Sequence, residues 1–218
     1  MLIESISGVR GTVPDSLNNE VVALYAGAFH QFCPKGDIVV GRDSRSSGIH
    51  FLTIIVETLM ALGRTVNQCG IVPTPTLQYV VDDTEAVGGI IVTASHNPAE
   101  WNGLKFLGAD GCYLNSSQVK KLMKLKSVDL PELSYEEGKQ IQINDAIDRH
   151  ITRTCDVSWI ALDTIRQRKF KVAVDAVNGA AAVALPELLD RLGCEVVAIN
   201  CGPTGEFTRG SEPLPENL

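Results

Sequence analysis

The sequence lacks a C-x-x-C pair, although six cysteines (Cys33, Cys69, Cys112, Cys155, Cys194 and Cys201) are scattered over its 218 residues. Their spacing matches neither a zinc site nor a small disulfide scaffold. Several lie in or beside apolar stretches, which reads as buried, reduced thiols and points to the cytoplasm. No apolar run approaches the roughly 18 residues of a membrane span. The opening MLIESISGVRG has no basic n-region or apolar h-region, so the sequon at Asn115-Ser116-Ser117 is not read as a glycosylation site. Positive charge is also short: 19 Lys+Arg against 26 Asp+Glu leaves a net charge of -7. That balance excludes nucleic acid and anionic membranes as expected partners, because both are bound through clustered cations. G-x-G-x-x-G, G-x-x-x-x-G-K-[ST] and G-x-S-x-G are all missing, which removes dinucleotide, P-loop and nucleophile-elbow readings. What is present is the composition of a soluble globular chain, 44% hydrophobic and 21% charged.

Strand-like apolar runs alternate with helical periods. Asp37–Gly41, Thr65–Cys69 and Gly88–Thr93 read as buried strands. Phe51, Leu52, Ile55, Leu59 and Leu62 recur at helical spacing between a Ser46-Ser47 cap and a Gly63 stop. Asn18 and Asn115 open further helices, and Pro73-Thr74-Pro75 opens a short one. The pattern predicts an α/β fold, with a mixed, largely parallel sheet covered by helices on both faces. A repeat reinforces it. VVGRD, a helix ending ALG, a strand and CG (39–70) return as VAVDA, a helix ending RLG, a strand and CG (172–202). We therefore expect a first domain over 1–150 and an incomplete second domain of related topology over 151–218. Residues 129–145 read as a loop or hairpin before a linker helix near Ala146–Cys155. One βαβ unit cannot cover its own sheet, so the second domain is expected to be truncated and open to self-association.

The chemistry concentrates in Gly88–Phe106, GGIIVTASHNPAEWNGLKF. Ser95 follows a buried strand directly, and ligands of parallel sheets bind at strand carboxyl ends. Ser95-His96-Asn97-Pro98 is a turn whose hydroxyl could carry a phosphoryl group, with His96 and Asn97 as hydrogen-bond donors. A turn at Asn102-Gly103 is expected to send a return strand back, bringing the Lys105 ammonium beside Ser95. A lysine among cations has a lowered pKa and can act as a base. Arg10, between glycines in SGVRGT, and Arg42 and Arg45, in VVGRDSRSSG, could bind phosphate bidentately, with Asp43 orienting one of them.

Together SGVRGT, VVGRDSRSSG, PTPT, TASHNPAEWNGLKF, VDAVNGAAAVALPELLDRLG and SEPLPENL resemble the α-D-phosphohexomutase family, in register over essentially the whole chain. Trp101 departs from the tyrosine or aspartate common at that position. The resemblance implies a phosphotransferase that interconverts the 1- and 6-phosphates of a hexose or hexosamine. It works through a phosphoserine at Ser95 and a hexose bisphosphate intermediate. His96 and Lys105 would serve in proton transfer, and Arg10 would stabilise the transferring charge. It also implies Mg²⁺, held by the phosphoserine and an Asp-x-Asp-x-Asp-Arg loop that this sequence does not contain, so Ser95 is the one expected metal ligand. The chain alone is accordingly expected to be inactive. The alternative is a short non-catalytic homologue serving as a sugar-phosphate binding or assembly module.

Overall fold

The computed structural model describes residues 1–126, 138–212 and 214–217. Its main sheet has seven strands: β1 (Ile3–Ser5), β2 (Gly8–Thr12), β3 (Ile38–Arg42), β4 (Val66–Ile71), β5 (Gly88–Val92), β6 (Trp101–Gly108) and β7 (Gln140–Gln142). Their spatial order is β1-β2-β6-β5-β3-β4-β7. From β5 to β7 the neighbours run parallel, whereas β6, β2 and β1 each pair antiparallel. The sheet thus changes character between β5 and β6.

Two helical layers cover it. α1 (Asn19–Phe32), α2 (Ser46–Ala61) and α4 (Ser116–Leu125) lie on one face, and α3 (Thr74–Asp82) and α5 (Ala146–Cys155) on the other. Because side chains alternate along a strand, Ile90 and Phe106 enter the first core while Ile91 and Leu107 enter the second. β3 and β5 are central and covered twice, which explains their unbroken apolar runs. The expected caps form. The Asn18 side chain accepts from the Val21 N–H, and Asn115 with Gln118 closes a capping box.

Three local expectations differ from the structure. Asn102-Gly103 is not a turn but lies inside β6, and the chain reverses over 93–101 instead. Within 129–145, residues 140–142 form an edge strand beside β4, while 129–137 lie outside the described residues. The helix near Ala146–Cys155, expected as a linker, forms and also packs on α3 as part of the first unit's helical layer. Ala146 enters the core there, and the His150 ring stacks on Tyr79 with centroids 5.3 Å apart. All six cysteines are free, with Cys33 and Cys69 buried and both thiols pushed up to about 12, chiefly by desolvation.

The second unit comprises α6 (Leu162–Arg168), β8 (Lys171–Asp175), a 3-10 turn at Ala180–Val183, α7 (Leu185–Arg191) and β9 (Glu195–Ile199). β8 and β9 pair in parallel, as β3 and β4 do, so the repeat in the sequence is a repeat of structure. Its core is small, built around Val174, Ala176 and Ala182. The unit docks on the first through Ser44, whose hydroxyl donates to Asn178 O at 2.9 Å, and through Ser211, which donates to His96 O at 2.6 Å. No helix among the described residues is long and apolar enough to cross a membrane.

Candidate active site

Ser95 stands at the carboxyl end of β5, where the parallel half of the sheet meets the antiparallel half. Its backbone is left-handed, with φ at 56°. Thr93 anchors the approach to it: the Thr93 hydroxyl donates to Asp43 Oδ2 at 2.6 Å and accepts from the Ser95 N–H at 3.0 Å.

Strand register then delivers two cations. Lys105 on β6 sits opposite Ile91 on β5, and Gly103 sits opposite Arg10 on β2. Positions two apart share a face, so Arg10 and Lys105 project to the same side. Lys105 Nζ donates to Ser95 Oγ at 2.8 Å, and Arg10 Nη1 donates to Asn97 Oδ1 at 3.1 Å. The close approach of the strands requires a glycine between them. A Cβ on Gly103 would stand 2.6 Å from Val9 O and 2.9 Å from Thr93 O. The Lys105 pKa is lowered, first by desolvation and further by the Arg10 charge, with Asp43 acting in opposition. Ser5, Gly8, Arg10, Ser95, His96 and Lys105 line a cavity of about 210 Å³. Such a site presents a hydroxyl, a partly desolvated amine and a guanidinium to an anionic ligand.

The other expected residues are placed differently. His96 lies at the same cavity, half exposed, with Nε2 3.9 Å from Glu212 Oε1 of the second unit. Arg42 donates from Nη1 to Asp43 O at 2.9 Å, packs beside Gly48, and lines neither cavity next to Ser95. Arg45, expected to bind phosphate, is instead turned into the protein. It is 1% exposed, and each of its five N–H donors is engaged inside the protein. The residues not anticipated are Thr93, Phe207 and Ser211. Thr93 was hidden as the last residue of an apolar strand. Phe207 and Ser211 reach the loop from a segment more than 100 residues away, a distance no local pattern encodes.

Two α/β/α domains joined in series, with the serine loop in the first, define the class. Residues 3–127 match the family model described as phosphoglucomutase/phosphomannomutase, alpha/beta/alpha domain I, and residues 148–218 match that of domain II. The chain belongs to this phosphoglucomutase/phosphomannomutase family, the α-D-phosphohexomutases. It is 34% identical over 218 residues to a phosphoglucomutase/phosphomannomutase of Thermococcus kodakarensis, covering 97% of this chain and 47% of that protein. It is 32% identical to a phosphoglucosamine mutase of Sulfurovum sp., covering 99% of this chain and 49% of that protein. Among solved structures, a phosphoglucomutase/phosphomannomutase family protein of Burkholderia thailandensis superposes with a TM-score of 0.79 at 27% identity, over 95% of this chain and 46% of the other. The chain thus spans about half the length of the curated relatives it matches.

Proposed function

We propose that this chain carries the phosphoryl-transfer half of a phosphohexomutase active site, with Ser95 as the phosphoryl carrier. The observation that supports this most directly is the 2.8 Å contact between Lys105 Nζ and Ser95 Oγ. A non-catalytic sugar-phosphate module would have no use for a hydroxyl held against a partly desolvated amine.

In this reading a hexose or hexosamine monophosphate enters the cavity beside phosphorylated Ser95. A sugar hydroxyl attacks phosphorus and the bond from phosphorus to Ser95 Oγ breaks. The hydroxyl proton passes to His96, the departing Ser95 Oγ takes a proton from the Lys105 ammonium, and the product is a hexose bisphosphate. After the bisphosphate turns round, Ser95 Oγ attacks its other phosphate and gives its proton to Lys105, left neutral by the first transfer. The released sugar oxygen is protonated in turn by His96, which took up the sugar proton in the first transfer. Arg10 stabilises the charge on the transferring group while its contact with Asn97 keeps it at the loop.

Mg²⁺ belongs to this proposal for the whole enzyme, but the described residues do not fit it alone. They contain no cluster of three or more His, Cys, Asp or Glu able to hold a metal, and Ser95 offers one oxygen beside an ammonium. No step above therefore depends on the ion.

Intact-mass and peptide mapping of the protein treated with a hexose 1,6-bisphosphate tests the reading. Phosphate should appear on Ser95, and no phosphate should be taken up by Ser95→Ala. Equal uptake by Ser95→Ala would overturn it.

A further inference from the structure

Arg45 makes no contact with the cavity that holds Ser95 Oγ, yet it binds the serine loop more extensively than any other side chain. Nη2 donates to Ser95 O at 2.9 Å and to Asn97 O at 2.7 Å. Nη1 donates to Pro98 O at 2.6 Å and to Trp101 O at 2.9 Å. Nε completes the set on Asp43 Oδ2 at 3.1 Å. A guanidinium is a rigid planar fork, so four carbonyls bound to one fork are fixed relative to each other.

The loop needs such fixing. A non-glycine residue in left-handed backbone is strained and persists only where its surroundings over-determine it. Ser95 is in that conformation. The trans peptide is planar, with C=O and N–H opposed. Turning Ser95 O inward to Arg45 therefore turns the His96 N–H the other way, on the side away from the guanidinium.

The second unit completes the arrangement. The Phe207 ring lies over the guanidinium, with its centroid 4.9 Å from Cζ, and Ser211 Oγ donates to His96 O at 2.6 Å. An aromatic face attracts the cation and also shields it from water, which would compete for its donors.

We propose that Arg45 is a positioning residue for phosphoryl transfer at Ser95: it holds the 95–101 backbone so that Oγ faces Lys105, and Phe207 seals that brace from the second unit. The kinetic part of this inference rests on the function proposed above, whereas the structural part does not, and the experiment separates them.

Arg45→Lys keeps the charge but loses the fork, and Phe207→Leu keeps the fork but removes the aromatic seal. Hydrogen exchange followed by mass spectrometry would compare peptides covering 94–101 with peptides from β3 and β5. The rate of Ser95 phosphorylation by a hexose 1,6-bisphosphate would be followed as a function of donor concentration. In Arg45→Lys, loop exchange should quicken at least tenfold while β3 and β5 stay protected. The maximal phosphorylation rate should fall by about 10²-fold, the scale of a small misplacement of a reacting group, with little change in half-saturating donor. Phe207→Leu should shift both readouts the same way by less. Unchanged loop exchange, or a wild-type maximal rate, in Arg45→Lys would overturn the inference. So would a loss of protection that extended equally to β3 and β5, or a Phe207→Leu protein identical to wild type. If the wild-type protein takes up no phosphate, the proposed function is what fails, and the exchange comparison still decides the brace.

Discussion

In the mechanism proposed above, a single amine decides whether the cavity beside Ser95 can do chemistry. Lys105 must be neutral to accept a proton, and desolvation together with Arg10 lowers its pKa, so a larger neutral fraction exists at any given pH than for a surface lysine. The rate of Ser95 phosphorylation should therefore rise with pH on a limb set below the ordinary lysine range. Arg10→Gln removes the like charge and should move that limb upward. Lys105→Ala should lower the maximal rate by about 10²–10⁴-fold, as for other positioned acid–base groups. Lys105→Arg should not restore it, because a guanidinium does not deprotonate in proteins. A pH–rate profile of the three variants checks both points, and full activity in Lys105→Arg would show that charge alone is sufficient. The residue scale is also where the sequence misled most. Arg45 and Arg10 look alike in their glycine- and serine-rich surroundings, but one is 1% exposed and taken up by four carbonyls and the Asp43 carboxylate while the other is exposed at the cavity. Nothing in the local pattern separates a guanidinium that binds a ligand from one that binds its own backbone.

Strands and helices were more legible than side-chain roles, because a buried parallel strand leaves an unbroken apolar run and a capped helix leaves an Asn or Ser at its start. β3, β5, α1, α2 and α4 follow from those signals. β7 does not: it is a short edge strand whose three residues are all exposed, so it has no apolar signature. The position of β6 was misjudged because Asn-Gly usually marks a turn. Here Asn102 is fully buried, donating to Ser47 Oγ at 2.9 Å, and Gly103 is needed for close strand packing. Gly103→Ala should accordingly cost about 1–3 kcal/mol, the range for overpacking a tight site, with loss of the Lys105–Ser95 contact. Urea unfolding measures the first effect and Ser95 phosphorylation the second. A neutral Gly103→Ala would mean that β2 and β6 are more loosely joined than their geometry indicates.

A second element-level device lies at the end of α1. Arg64 donates to His30 O, Cys33 O, Pro34 O and Gly36 O, and its Nε reaches His30 Nδ1 at 3.1 Å. That last bond requires neutral His30, and burial followed by the Arg64 charge lowers the His30 pKa. The unfolded chain, with a His pKa of about 6.5, then binds the proton more readily than the folded one. His30 should contribute its full stability above that value and lose it as pH falls through its lower folded pKa. His30→Asn should flatten this part of the stability curve, measured by denaturant unfolding from pH 7.5 to 5. His150, whose pKa is also lowered by burial, adds slope of the same sign.

At the scale of the whole molecule, the sheet order governs when the site can exist. β2 has only β1 and β6 as sheet neighbours, and Arg10 meets Asn97 across 87 positions of chain. During synthesis or refolding the β1–β2 ribbon therefore has no further strand to join until β6 is available, and a two-stranded ribbon alone is marginally stable at best. Long-range pairing of this kind is slow, since loop closure precedes the contacts that compensate for it. Pulse-labelled hydrogen exchange should find Val9–Thr12 protected together with β6 and after α2. Earlier protection of Val9–Thr12 would exclude this order. Ser95 thus receives Lys105 and the Arg10 contact only once β6 is in place. A growing chain that has emerged only as far as the 95–98 loop carries the Ser95 hydroxyl before Lys105 exists beside it and before Arg10 is docked, so the serine stays without its cations until the N-terminal ribbon joins β6.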